Sequence, residues 1–294
     1  MGRELHRRGV PFRQPEWSAL ALMEAPESVR EVHADFIRSG AQVITTNSYA
    51  VVPFHIGAER FAAEAEMLIE RAGRLAREAV EQSGKSVLVA GCLPPLFGSY
   101  RYDLFDKDSA HTLAEPFILG LQNYVDFWLA ETVSSIAEAV FWRSRLPDDG
   151  KPFWLSFTLD DTGGCPTLPR FRSGEGVASA AACAAAFGAA AMLFNCSQPE
   201  VMEAAVAETR RVFDELGSTC RIGVYANAFE MAEEEMNAAN EGLNDIRRDT
   251  TPQRYAGWAG EWQAAGASII GGCCGIGPEH IAALAAWQAA EQAV

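Results

Sequence analysis

This chain has little of what would mark a membrane, secreted or nucleic-acid-binding protein. No run of about 20 apolar residues occurs, so no membrane span is expected. Residues 1–10 are polar and basic and lack the apolar centre of a secretory signal. Positive charge is scarce: 24 Lys and Arg stand against 39 Asp and Glu, for a net charge of −15. That balance argues against nucleic acid or an anionic membrane as partner, and its simplest meaning is solubility. Low-complexity tracts are absent, and hydrophobic residues make up 49% of the 294, enough to bury a large core. There is no His-Glu-x-x-His, Gly-x-Ser-x-Gly, Walker loop or Gly-x-Gly-x-x-Gly. The motif-borne routes to metalloprotease, hydrolase, nucleotidase and dinucleotide chemistry are therefore missing. The seven cysteines are odd in number. Without a secretory signal, this points to a reducing cytoplasm, where thiolates rather than disulfides are the default.

What is present is alternation. Short β-rich runs at 42–48, 86–91, 127–131, 153–158, 190–195, 222–226 and 267–271 read as strands, several of them nearly all apolar. That is expected when both faces of a parallel strand are covered. Helical patterns separate them, at about 26–39, 59–82, 109–124, 133–145, 176–187, 200–216 and 252–265, with a last one from Pro278. Strict alternation predicts a parallel sheet, either doubly wound or closed as a (β/α)8 barrel. No linker divides the chain, so a single domain over 1–294 is expected. Three long loops, 92–108, 159–175 and 227–251, follow strands. In a parallel barrel they belong to the C-terminal face, where the chemistry lies.

The cysteines carry the chemical argument. Cys273-Cys274 lies in Gly-Gly-Cys-Cys-Gly, directly after an apolar strand. Adjacent side chains diverge on an extended strand and a vicinal disulfide is strained. The flanking Gly271, Gly272 and Gly275 free the backbone to bring both sulfurs to one centre. Cys196 ends another apolar strand, 77 and 78 residues away in sequence. Three ligands and one open position is the pattern of catalytic zinc, and soft thiolates favour Zn2+ over magnesium or calcium. Three thiolates leave zinc with a net charge near −1, poor for making hydroxide. The centre suits a fourth, substrate thiol whose pKa the ion lowers. A thiolate attacking a methyl group on a cationic donor needs little acid–base help. Of the other cysteines, Cys183 reads as helix packing and Cys220 carries no role; Cys92 follows a strand and Cys165 lies in a loop, each within reach of the mouth but more often without a role.

These residues resemble the homocysteine S-methyltransferase family over most of the chain. Gly-Gly-Cys-Cys-Gly at 271–275, followed by Gly277-Pro278-Glu279-His280-Ile281, is similar to its C-terminal signature. Asn195-Cys196-Ser197 resembles the segment with its first zinc cysteine, and Val43-Ile44-Thr45-Thr46-Asn47-Ser48-Tyr49 the motif after its second strand. Tyr225-Ala226-Asn227 resembles a Tyr-Pro-Asn motif, and Ala130-Glu131-Thr132 the strand bearing the glutamate that holds the substrate's amino group. The resemblance implies a (β/α)8 TIM barrel and zinc-dependent methyl transfer to homocysteine, giving methionine. S-methylmethionine leads among onium donors, ahead of S-adenosylmethionine or betaine, and a selenol is an alternative acceptor. It implies Cys196, Cys273 and Cys274 as metal ligands, and Glu131, Asn47 and Asn227 as substrate contacts. Asn47 and Asn227 read equally well as turn caps. Tyr49, Tyr225, Trp128, Trp154 and His55 read as core or mouth walls, and Glu233 to Glu235 as a solvated face.

The departure is at the start. Family members carry an Asp-Gly-Gly-Met-Gly-like stretch on the first strand, with an acidic residue near substrate. Met1-Gly2-Arg3-Glu4-Leu5 looks like the tail of it. The expectation is a barrel lacking most of its first strand. Two other functions compete: a non-catalytic zinc-binding barrel, and a thiol redox protein using Cys273-Cys274.

Overall fold

The structure, a computed structural model, describes residues 1–162, 168–230 and 245–291. Cys165 and the run Glu233 to Glu235 lie outside the described residues. All seven expected strands form: β1 (Val43–Thr45), β2 (Leu88–Leu93), β3 (Phe127–Val133), β4 (Phe153–Phe157), β5 (Ala191–Asn195), β6 (Arg221–Tyr225) and β7 (Ile269–Ile270). Each pairs in parallel with its neighbour in sequence, in the order β1-β2-β3-β4-β5-β6-β7. Among the described residues β1 and β7 do not pair with each other. The result is a TIM-like barrel short of one strand, open along a seam.

The helices between them are α1 (Gly2–Arg7), α2 (Ala19–Glu24), α3 (Pro26–Arg38), α4 (Pro53–Ile56), α5 (Ala58–Ser83), α6 (Lys107–Leu121), α7 (Ile136–Arg145), α8 (Val177–Ala186), α9 (Met202–Leu216), α10 (Pro252–Ala265) and α11 (Pro278–Glu291). The eight longer ones follow the sequence pattern. α1, α2 and α4 have at most six residues, too few to show a 3.6-residue repeat. None of the described helices is long and apolar enough to cross a membrane.

Side chains alternate across each strand. One set faces the helices: Ile44, Val89, Trp128, Ala130, Leu155, Met192, Phe194 and Ile222 join the main core there. The other fills the barrel: Ala90, Phe127, Leu129, Ala191 and Leu193 pack with Val43, Trp154, Tyr225 and Ile269. Phe127 and Trp154 lie 4.1 Å apart between ring centroids. One step further along the same faces, the inward positions turn polar: Cys92, Glu131, Ser156 and Asn195 follow Ala90, Leu129, Trp154 and Leu193. A reactive layer thus sits on an apolar floor, at the end of the barrel where the strands finish.

The turn after β3 is fixed by a capping box. Ser135 Oγ accepts the Glu138 amide at the start of α7, and Glu138 Oε2 accepts the Ser134 amide at 2.8 Å and the Ser135 hydroxyl. Burial pushes the Glu138 carboxyl up to about 7, against those bonds, which pull it down. A carboxyl raised in the folded state keeps a proton the unfolded chain has lost. Its contribution is complete below pH 4.5 and is lost as pH rises through about 7. The loss is on the order of 3 kcal/mol. Glu138→Gln is expected to flatten the fall in melting temperature between about pH 5 and about pH 8, the window set by the raised carboxyl. A mutant whose melting temperature falls with pH as steeply as the parent's would assign that slope elsewhere.

Candidate metal and substrate site

The loops after β5, β6 and β7 are laced together beyond the strand ends. The Asn227 amide donates to the Ser197 carbonyl at 3.1 Å, the Cys273 amide to Ala226 at 2.9 Å, and the Ala228 amide to Cys274 at 2.8 Å. Tyr255, buried in α10, lies with its hydroxyl 2.8 Å from the Gly271 carbonyl and 3.1 Å from that of Ala226. This lacing carries Cys196 to the Cys273-Cys274 pair.

The doublet can turn because of its glycines. A Cβ on Gly272 would lie 2.1 Å from Ile276 Cγ2. Gly275 has φ +84°, and a Cβ there would approach Ala228 and Ile246 within 3 Å. Only glycine fits this turn without displacing its neighbours.

The three sulfurs lie within 4.8 Å of one another, the one group of metal-ligating side chains found among the described residues. Cys274 Sγ is 4.0 Å from Cys196 Sγ and 3.9 Å from Cys273 Sγ. Tetrahedral zinc with bonds of about 2.3 Å holds its sulfurs about 3.8 Å apart. Two of the three edges therefore fit the ion as they stand. On the third edge Cys196 and Cys273 are joined as a disulfide. Thiolates were expected here by default, with Cys273-Cys274 as the pair of the competing redox reading; the bridge joins Cys273 to the distant cysteine instead. The reason is convergence: sulfurs brought close enough to share a cation are also close enough to be oxidised together. Burial raises the pKa of the remaining thiol, Cys274.

Above the apolar floor a cavity of about 720 Å³ opens, lined by Glu131, Cys196, Tyr225, Cys273 and Cys274 among others. It continues down the seam to Leu88 and Trp287 at the far end. Glu131 projects into it from β3, where the register with β4 shifts between Ala130 and Val133. Burial raises the Glu131 pKa, while Cys92 and Tyr225 beside it favour the ionised form. Cys92 donates its S–H to Glu131 Oε2 at 3.1 Å, and burial beside that carboxylate pushes its own pKa well up. Cys92 is thus a protonated neighbour of Glu131, a role its position in the sequence did not reveal.

Asn47 and Asn227 also line the cavity, and one atom of each amide is held by the protein. Asn47 Nδ2 donates to the Ser18 carbonyl at 3.0 Å, pinning the loop before α2. Asn227 Oδ1 accepts the Phe229 amide at 3.3 Å, an Asx turn. Tyr49 bonds Ser99 at 2.7 Å on the cavity wall. His55 is buried, with Nδ1 3.0 Å from the Pro15 carbonyl. Trp128 faces the helices and Trp154 the barrel interior. Cys183 and Cys220 lie away from the cluster, on α8 and just before β6. Among the described residues, four that are not glycine have left-handed backbone: Trp17, Tyr100, Thr132 and Cys196, with φ between 49° and 67°. All four line this cavity. Strain of this kind gathers at sites that the surrounding structure over-determines.

Fold and cluster define a class: a parallel α/β barrel with a three-sulfur centre at the C-terminal ends of its strands. The chain belongs to the homocysteine S-methyltransferase family, whose model matches residues 1–287. It is 29% identical to the homocysteine S-methyltransferase of Escherichia coli K12, covering 97% of this chain and 92% of that one. It is 25% identical to the selenocysteine methyltransferase of Astragalus bisulcatus, covering 96% and 88%. The homocysteine methyltransferase MmuM from E. coli superimposes in its metallated form with a TM-score of 0.75 at 27% identity, and in its oxidized form with 0.76 at 28%. Each alignment covers 97% of this chain and 93% of MmuM.

Proposed function

We propose that this protein transfers a methyl group from an onium donor, S-methylmethionine first, to the thiol of homocysteine on zinc held by Cys196, Cys273 and Cys274. The observation that carries the reading is the meeting of three cysteine sulfurs within 4.8 Å of one another, two of their three edges at tetrahedral spacing, in one cavity with a carboxylate. Zinc bound there would lower the pKa of an incoming thiol toward neutrality. Glu131 binds the acceptor's ammonium, which turns its unfavourable burial into an ion pair. The apolar floor below it excludes water from the reacting sulfur. The acceptor S–H gives its proton to solvent, a new S–CH3 bond forms, and the donor's S–CH3 bond breaks in line. With S-methylmethionine both products are methionine.

The cluster must be reduced first, because Cys196 and Cys273 cannot be both bridged and ligated. The test is methionine formation from homocysteine by reduced, zinc-loaded protein, across a panel of S-methylmethionine, S-adenosylmethionine and betaine. We expect turnover with at least one donor, greatest with S-methylmethionine, and none after a chelator strips the metal. Full zinc occupancy with no turnover on any donor would favour the non-catalytic barrel.

A further inference from the structure

The left-handed turns at Thr132 and Cys196 need something to hold them. A β-branched residue at φ +61° is costly. One buried side chain bonds the first and belongs to the residue that precedes the second. Asn195 ends β5 with no exposed surface. Its Oδ1 accepts the Ser156 hydroxyl of β4 at 2.7 Å, and its Nδ2 donates to Thr132 Oγ1 of β3 at 2.7 Å. The same Nδ2 lies 3.9 Å from Cys273 Sγ, beyond β7. Asn195 is the residue before Cys196, and Thr132 the residue after Glu131. A single amide therefore joins the turn that aims the carboxylate, the turn that aims the first cysteine, and the sulfur of the second.

We propose that Asn195 is the positioning residue that couples the two halves of the site. Through Thr132 it sets the direction of Glu131. Through its second N–H it donates to the Cys273 sulfur, stabilising the thiolate and fixing its direction toward the metal. The role in acceptor binding rests on the function proposed above; the role at Cys273 does not. A carbonyl alone would satisfy Ser156, and a hydroxyl alone would satisfy Thr132. Only an amide, with one acceptor and two donor hydrogens, serves β4, β3 and the cluster together. Outer partners of this kind typically change metal affinity 10- to 100-fold when lost.

Two variants separate the arms. Asn195→Asp keeps the acceptor for Ser156 but has no N–H for Cys273. Thr132→Val keeps shape and branching, leaves Asn195 intact, and removes the link to the Glu131 turn. Zinc affinity is read on reduced protein by competition with a colorimetric chelator, with no substrate present. Asn195→Asp is expected to bind zinc about 10- to 100-fold more weakly, and Thr132→Val as tightly as the parent. With substrates, Thr132→Val should raise the KM for homocysteine with kcat nearly unchanged, and Thr132→Ser should restore it. Should Asn195→Asp misfold by circular dichroism, Asn195→Gln, which displaces the amide by one methylene, takes its place with the same expected loss. A folded Asn195→Asp or Asn195→Gln that holds zinc as the parent does, or a Thr132→Val with an unchanged KM for homocysteine, overturns the coupling. A parent that binds zinc but methylates nothing overturns the functional reading alone, and the zinc comparison still decides Asn195.

Discussion

Cys274→Ala is expected to leave reduced protein without retained zinc and to cut methyl transfer by about a thousandfold or more. Activation of a nucleophile by a metal is worth several kcal/mol, and each 1.36 kcal/mol is tenfold in rate. Cys274 is the most informative of the three because it takes no part in the disulfide. Its loss leaves the Cys196–Cys273 bridge chemically possible, so a dead variant cannot be blamed on a missing crosslink. Two sulfurs do not make a closed zinc site, and the third cannot be replaced by Cys92, whose thiol is committed to Glu131. Metal content by mass spectrometry of the native protein reads the result directly. Cys183→Ala, on the outer helix α8, is the matched control and should keep a full equivalent. Retention of one zinc per chain by Cys274→Ala would remove that residue from the ligand set.

Glu131→Ala should act on the acceptor rather than on the metal. A buried charged partner is worth roughly 2–5 kcal/mol when its mate is left unpaired, so the KM for homocysteine should rise at least about 30-fold. Zinc content should not change. The folded protein should lose no stability from the missing charge, since burial already disfavours the ionised carboxyl in the free enzyme. Glu131→Gln keeps the shape and the contact with Cys92, and tests charge alone; its KM should rise nearly as far. An unchanged KM in both variants would place the acceptor's amino group elsewhere in the cavity.

The strands were readable because several are nearly all apolar and helical patterns separate them. Val43 to Thr45 and Ala191 to Asn195 needed no tertiary information. The seam was readable as a count, seven runs where a barrel has eight. The convergence of Cys196 with the doublet followed from strand ends sharing one face of a parallel barrel. What could not be read depends on parity between distant strands. Ser156 and Asn195 look like ordinary polar ends of apolar strands until register places them beside Thr132. Cys92 looks like one more buried thiol until the barrel closes it onto Glu131. Asn47 and Asn227 follow strands, as binding residues often do, and both line the cavity while one amide atom of each goes to a neighbouring loop carbonyl or to a turn. No spacing rule separates those outcomes, because both place a short polar side chain at the same point of the chain.

The bridge between Cys196 and Cys273 also governs how any rate should be counted. Under the ligand set proposed above, a molecule carrying the crosslink lacks two of its three sulfur donors. A turnover number calculated per milligram would then count bridged molecules as active ones. Titrating free sulfhydryls beside each assay turns that hidden denominator into a measured one.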